Sequence, residues 1–297
     1  MNLPEYPEYP DFRWPNGARL ALSLVINVEE GAEANIADGD KYPEAVDELG
    51  MMVKKSVRNF PNESNYRYGL VAGAPRVMRL LEQSGLVATF TACAQALERA
   101  PQLAARIAGG GHEACSHGYR WAPQYHLSEE DERAYIRRAV ASITQTTGSR
   151  PYGWLSRYLT SANTRRLLVE EGFRYTMDDF SHDRPFWDET QSAPLVVVPY
   201  ALDTNDMKFW TDPAYTPESW LRYAIDTFDW LYDEGGEAPR MMSLGLHLRI
   251  VGRPGRMAAL ERFLAHVAAQ QNVWVATRLQ IAEHFAHCVP HGTGAAA

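Results

Sequence analysis

The sequence predicts an α/β protein in which about seven βα repeats close a mostly parallel sheet into a barrel. Three observations carry that reading. Near-continuous apolar runs recur along the chain: ARLALSLVINV (18–28), LVATFTA (86–92), HEACS (112–116), PLVVVPY (194–200), MMSLGLH (241–247) and NVWVAT (272–277). Runs of this kind suit strands covered on both faces, as in a parallel sheet. Between them lie helical patterns with start and stop signals, and the strand–helix alternation is the pattern of βα units.

The elements follow in order. Residues 1–17 are rich in proline and aromatics. Proline lacks a backbone donor and restricts its predecessor, so no long helix forms there. An extended arm is expected, docking its Tyr and Trp side chains on the body or on a neighbouring subunit, with a mobile terminus as the alternative. A single barrel domain then spans 18–287. Its first strand is followed by 31–69, a polar stretch of weak periodicity that carries DGDKYPE and FPNES. Long irregular connections in compact domains are usually functional or disordered, and attachment to the first strand predicts a lid-like insertion over the site. APRVMRLLEQSG (74–85) ends on glycine, a usual helix stop. In 127–148, Ser128 is the N-cap, acids fill the first turn and Gly148 lies past the end. Residues 161–172, 216–236 and 254–271 follow the same grammar. Residues 288–297 form a frayed tail ending in GTGAAA. No internal repeat is visible.

The chain has 297 residues, 45% hydrophobic and 22% charged, which is enough to bury a large core without disulfides or structural metals. A formal net charge of −8 argues against nucleic acid or an anionic membrane as the main partner. Cys93, Cys115 and Cys288 match no zinc ribbon or CxxC spacing and are expected to be reduced thiols. The N-terminus has no basic-then-apolar signal pattern, and no apolar run reaches the roughly 18–20 residues that span a bilayer. A soluble, cytoplasmic protein is expected.

In parallel βα barrels, chemistry collects where the C-terminal ends of the strands meet. Strand ends here carry Asn27 with Glu29-Glu30, then His117, then Asp203, Asn205 and Asp206, then His247 with Arg249. Each has a bland reading when taken singly. A glutamate pair is readily solvated, a lone histidine is readily a satisfied structural group, and Asp203 can close an Asx turn. His112 and Glu113 fall at or inside a strand and read as structural. The argument rests on the constellation. His117 raises a further question, because metal sites often place a second histidine four residues after the first, and Trp121 stands there.

The ordered motifs NVEEG, SHGYRW, SRPYGW, LDTNDM and GLHLRIVGRP resemble the polysaccharide deacetylase (NodB-homology) superfamily. Within it they resemble the cytoplasmic branch of cofactor-independent bacterial allantoinases and cyclic imide hydrolases, over residues 10–287. The resemblance implies a distorted (β/α) barrel and a homotetramer. In metal-dependent members the first motif is an Asp pair, one base and one metal ligand, and Glu29-Glu30 stand in its place. The second motif runs from one histidine to another, here from His117 to Trp121. RPYGW (150–154) resembles the third motif, which puts Trp154 at the substrate. The late apolar-then-His motif falls on His247, a general acid in the family. An Asp-His-His metal set becomes Glu-His-Trp. A catalytic zinc has three protein ligands as a rule, and an indole N–H cannot ligate. The resemblance therefore implies that no cofactor is required, or that a divalent metal such as zinc is weakly held by Glu30 and His117. The branch's allantoinases carry Gly-Trp-Tyr-Thr-Gly-Arg where this chain has GWLSRYLTSANTRR (153–166), which leaves room for a cyclic imide.

Hydrolysing an amide without a metal needs an activated water, a polarised carbonyl and a proton for the leaving nitrogen. Glu29 or Glu30 is the expected base, its pKa raised by burial and by the adjacent like charge. His247 is the expected acid, and Arg249 or backbone donors the oxyanion partners. His117, Asp203 and Trp154 complete the substrate contacts, with Trp121 as a flat apolar wall. Such a site suits a strained or activated amide, so a small cyclic imide or ureide ring is the expected partner. Two other readings stand beside it: a metal-dependent N-deacetylase of an amino sugar or peptidoglycan fragment, and an inactive protein that binds a small molecule.

Overall fold

Nine strands form one curled sheet in the computed structural model, which describes residues 12–45, 51–190, 193–211 and 214–292. They are β1 (Leu20–Val28), β2 (Thr89–Ala92), β3 (Glu113–Ser116), β4 (Gly153–Trp154), β5 (Tyr175–Thr176), β6 (Phe186–Asp188), β7 (Leu195–Val197), β8 (Arg240–His247) and β9 (Val273–Val275). The order is β6-β7-β5-β4-β3-β2-β1-β8, and β9 pairs with β1. Every pairing is parallel except β6 with β7. The expectation of about seven strands thus meets seven parallel strands along the path, plus β9 and an antiparallel edge. β8 pairs along Leu20–Asn27, so β9 (on Leu20–Leu22) and β2 (on Val25–Val28) share the other edge of β1. Between β7 and β8 the ring is completed by loops. Met241 N donates to Asp183 O at 2.8 Å, and Gly245 N to Thr204 O at 3.3 Å.

The first strand explains the layering. Successive side chains of a strand point to opposite faces. Leu20, Leu22, Leu24, Ile26 and Val28 belong to the outer core beneath the helices. Ala21 and Val25 belong to the inner core, together with Cys115 and Met241. α10 (Arg278–Cys288) contributes Ile281, Ala282 and Phe285 to that inner set, and Phe12 and Trp14 from the first 17 residues pack with it. Trp14 Nε1 donates to Arg240 O at 2.8 Å. Residues 1–11 of the expected arm and 293–297 of the expected tail lie outside the described residues.

The helices read from sequence appear as α2 (Ala74–Ser84), α5 (Glu129–Thr147, capped by Ser128), α6 (Thr164–Glu170), α7 (Pro217–Glu234) and α9 (Pro254–Ala268), and two short ones, α3 (Ala94–Arg99) and α4 (Pro101–Gly109), join β2 to β3. The stretch 31–69 differs from the expectation. Its last part is helical, α1 (Phe60–Tyr68), and runs through a π-type turn, Gly69–Gly73, into α2. Its loop part is tied down by Arg120–Asp40 (2.6 Å), Arg157–Glu44 (2.8 Å) and Arg99–Asp38 (2.7 Å). Cys93, Cys115 and Cys288 are free thiols. Among the described residues no helix is long and apolar enough to cross a membrane.

The π-type turn sits against α8 (Leu248–Val251), the short helix that follows β8. A Cβ at Gly73 would overlap the Leu248 carbonyl, and the Cα of Gly73 packs where a Cβ at Gly252 would go. Close backbone approach of this kind is open only to glycine. Gly73→Ala is therefore expected to destabilise the protein by roughly 1–3 kcal/mol through overpacking. Chemical denaturation checks it, and an unchanged midpoint would show that the turn relaxes freely.

Candidate active site

The alternation of β1 continues past its end and separates the two glutamates. Glu29 follows the inner parity of Val25 and Asn27 and lines a cavity at the C-terminal strand ends. Glu30 follows the outer parity and points at the helices. It accepts from Glu29 N at 3.1 Å and from Arg249 N at 2.9 Å, and its side chain occupies the space a Cβ at Gly69 would need. Glu30 therefore does not reach the cavity and is corrected from base or metal ligand to a buried acceptor that ties β1 to α8.

Glu29 gathers the charged groups. Its Oε2 accepts from Arg249 Nη1 at 2.7 Å. Its Oε1 lies 3.5 Å from His117 Nε2 and 3.4 Å from His247 Nε2. Burial works to raise its pKa, but the Arg249 guanidinium and then the His247 imidazolium beside it hold it well below the usual carboxylate range. This corrects the expectation of a base raised towards neutrality. Burial does raise Glu30, with Arg249 opposing and the Glu29 charge adding, but Glu30 does not line the cavity.

His247 ends β8 in register with Asn27. Its Nδ1 donates to Asp206 Oδ1 at 2.7 Å, and the other Asp206 oxygen accepts from His247 N (2.8 Å) and Val251 N (3.1 Å). Burial disfavours the charged ring, but Glu29 and then Asp206 overturn it and push the His247 pKa up to about 10. His117 is held differently. Its Nδ1 donates to Leu155 O at 2.6 Å, which leaves the Nε2 lone pair facing the cavity in the neutral ring.

Three expected contacts are corrected. Asp203 is exposed and accepts from Tyr223 Oη at 2.8 Å; the aspartate of that loop that reaches His247 is Asp206, three residues on. Trp154 is fully buried, edge-on to Phe173, and donates to Ser156 Oγ at 2.9 Å. It supports the wall from behind. Arg249 is fully buried behind Glu29, so it sets the charge of Glu29 and does not line the cavity. Trp121 does line it, with the Arg157 guanidinium stacked 3.6 Å over its ring.

The cavity has a volume of about 280 Å³. Glu29, His117 and His247 line it, and Tyr158, Phe180 and Leu202 give it a partly exposed apolar lining. No described residue of 31–69 lines it, and the flanking loops are 155–160 and 202–211; residues 46–50 of the expected lid lie outside the described residues. Tyr200, absent from the sequence reading, also lines it. Its hydroxyl accepts from Asn27 Nδ2 at 3.1 Å and from Asn205 Nδ2 at 2.9 Å. Both lone pairs are thereby used, and the O–H hydrogen is directed elsewhere.

The donor set does not fit a catalytic zinc. The oxygens of Glu30 are committed to backbone N–H groups, Nε2 of His247 carries a proton in the charged ring, and Trp121 offers no lone pair. Glu29 and His117 remain, one donor short of the usual three. Among the described residues no group of three or more His, Cys, Asp or Glu side chains is arranged to hold a metal ion.

A family model described as polysaccharide deacetylase matches residues 65–176, which takes in His117 but neither Glu29 nor His247. A Schizosaccharomyces pombe protein, provisionally named a polysaccharide deacetylase, is 34% identical, with 91% of each chain covered. The crystal structure of a probable polysaccharide deacetylase from Pseudomonas aeruginosa PAO1 is 42% identical, with a TM-score of 0.89 over 93% of this chain and 94% of the other. That of Puue allantoinase is 40% identical, with a TM-score of 0.93 over 98% and 100%.

The raised His247 pKa has a definite sign. The imidazolium stabilises the fold fully below its unfolded value of about 6.5, and that contribution is lost as pH rises through the folded value of about 10. Asp206→Asn removes one of the two anions, so the His247 titration, followed by NMR, is expected to move to lower pH. An unmoved titration would mean that Asp206 does not set the charge.

Proposed function

The chain belongs to the polysaccharide deacetylase family, and from that premise we propose that it is a hydrolase opening the C–N bond of a small cyclic amide, an imide or ureide ring. One observation carries the reading: a charged His247 faces an ionised Glu29 beside the His117 lone pair, on the lining of a small cavity. Likeness to Puue allantoinase over nearly the whole chain supports a ring amide.

The roles follow from the protonation states. The attacking water lies on the cavity side of the Glu29 Oε1 and His117 Nε2 pair, 3.5 Å apart, and donates to both. Glu29, held far below the usual range, is a weak proton acceptor, so it orients the water while His117 Nε2 takes the proton. The adjacent carboxylate stabilises the imidazolium that forms, as a carboxylate does in a catalytic triad. The water oxygen bonds to the ring carbonyl carbon, and the Tyr200 O–H donates to the oxygen that becomes negative. As the C–N bond breaks, His247 gives its Nε2 proton to the leaving nitrogen. Trp121, backed by Arg157, forms one flat wall.

Glu29→Gln and His117→Asn are each expected to lower kcat by about 10²–10⁴-fold on the best substrate among succinimide, hydantoin, dihydrouracil and allantoin. Steady-state assays of the purified protein check it. Near-wild-type turnover by either variant would remove that residue from the mechanism. Turnover of chitooligosaccharides with none of the four rings would replace the reading with an N-deacetylase.

A further inference from the structure

The cavity lining carries a further basic side chain that the mechanism does not use. Only four of the 29 basic residues are lysines. Lys41, Lys54 and Lys55 are exposed. Lys208, half-buried on the turn Asp206–Phe209, lines the cavity beside Met207 and Thr211. The neighbouring cations are matched. Arg157 grips both oxygens of Glu44 and donates to Trp121 O, and Arg249 is paired with Glu29. Lys208 makes no side-chain hydrogen bond or ion pair within the described protein.

The anions of the cavity do not balance it. The charge of Glu29 is met by Arg249 and His247. The Asp178 carboxyl accepts from Ser156 N at 2.7 Å and is raised by burial. A cation drawn from water into a half-enclosed space is stabilised by an opposite charge, and none of the described carboxylates pairs with Lys208. Drug-sized ligands occupy pockets from roughly 300 Å³ upward, so a space of about 280 Å³ holds a single ring with a short substituent.

We propose that the substrate ring carries a carboxylate on a short arm and that Lys208 binds it. The inference rests on the ring-hydrolase reading above and narrows it to cyclic amides with an acidic side arm. A monoanion matches one ammonium, and a flexible lysine acts as a point charge where an arginine would impose a planar fork. Thr211, on the same lining, adds a hydroxyl donor.

The test compares hydantoin with hydantoin-5-acetate in wild type, Lys208→Met and Lys208→Arg. Wild type is expected to favour the acid-bearing ring in kcat/KM, by a margin that shrinks as salt rises. Lys208→Met should lose about 10–100-fold on the acid-bearing ring and stay within twofold on hydantoin. Lys208→Arg, which keeps the charge, should retain most of the preference. Equal losses on both rings, or no wild-type preference, would overturn the proposal while leaving the ring hydrolase standing. No turnover of either ring, with deacetylation of chitooligosaccharide, would overturn both.

Discussion

The carboxylate of Glu29 is buried and ionised, and the active face is organised around keeping it so. Taking a carboxylate out of water costs several kcal/mol even after relaxation. Here Arg249 meets one oxygen and the two imidazoles face the other. Asp206 then neutralises the charge on His247. Arg249, Glu29, His247 and Asp206 form a chain of alternating sign whose sum is zero. Such a chain adds little net stability over an apolar core, but removing one member strands its neighbour as an unpaired buried charge. Its members are therefore interdependent, and each fixes the protonation state of the next.

That chain depends on backbone placement as much as on side chains. Arg249 lies on α8, two residues past the end of β8, and its own N–H reaches Glu30. Asp206 bonds the N–H groups of His247 and Val251, at the two ends of α8. The π-type turn at Gly69–Gly73 lets α1 and α2 approach α8 without Cβ atoms between them. The helical part of 31–69 thus acts on the site through packing. It holds the element that carries Arg249 in place and does not line the cavity.

Much of this was legible in the sequence. The long strands and strongly periodic helices were, because apolar runs and caps report them directly. β4, β5 and β6 were not, since two or three residues show no periodicity. The parity of β1 held more than its apolar content suggested. Ser23, Val25, Asn27 and Glu29 share one face, and a count in twos from the inner residues separates Glu29 from Glu30. The near-continuous hydrophobicity of 18–28 masked that alternation. In the loop after β7 no period exists to tell Asp203 from Asp206, and the difference is made by a turn that buries one and exposes the other. Trp154 read as a pocket residue because RPYGW resembles the family's third motif. Its indole instead packs behind Ser156.

The indole at position 121 is explained by the same distribution of charge. Arg157 stacks on its ring at 3.6 Å, and the Arg249 guanidinium lies 5.4 Å from it. Aromatic faces attract cations, so Trp121 holds two guanidiniums beside Glu29 that a histidine at this position would hold less well. The consequence for a metal is electrostatic. A dication between Glu29 and His117 would sit beside the Arg249 guanidinium and the His247 imidazolium, which already meet the charge of Glu29. Like charges at these distances repel strongly where water is excluded. The arrangement that keeps His247 charged as an acid therefore works against a second positive centre. In the proposed mechanism the part of proton acceptor, which the charged chain itself lacks, falls to His117, anchored through Nδ1 to Leu155 O.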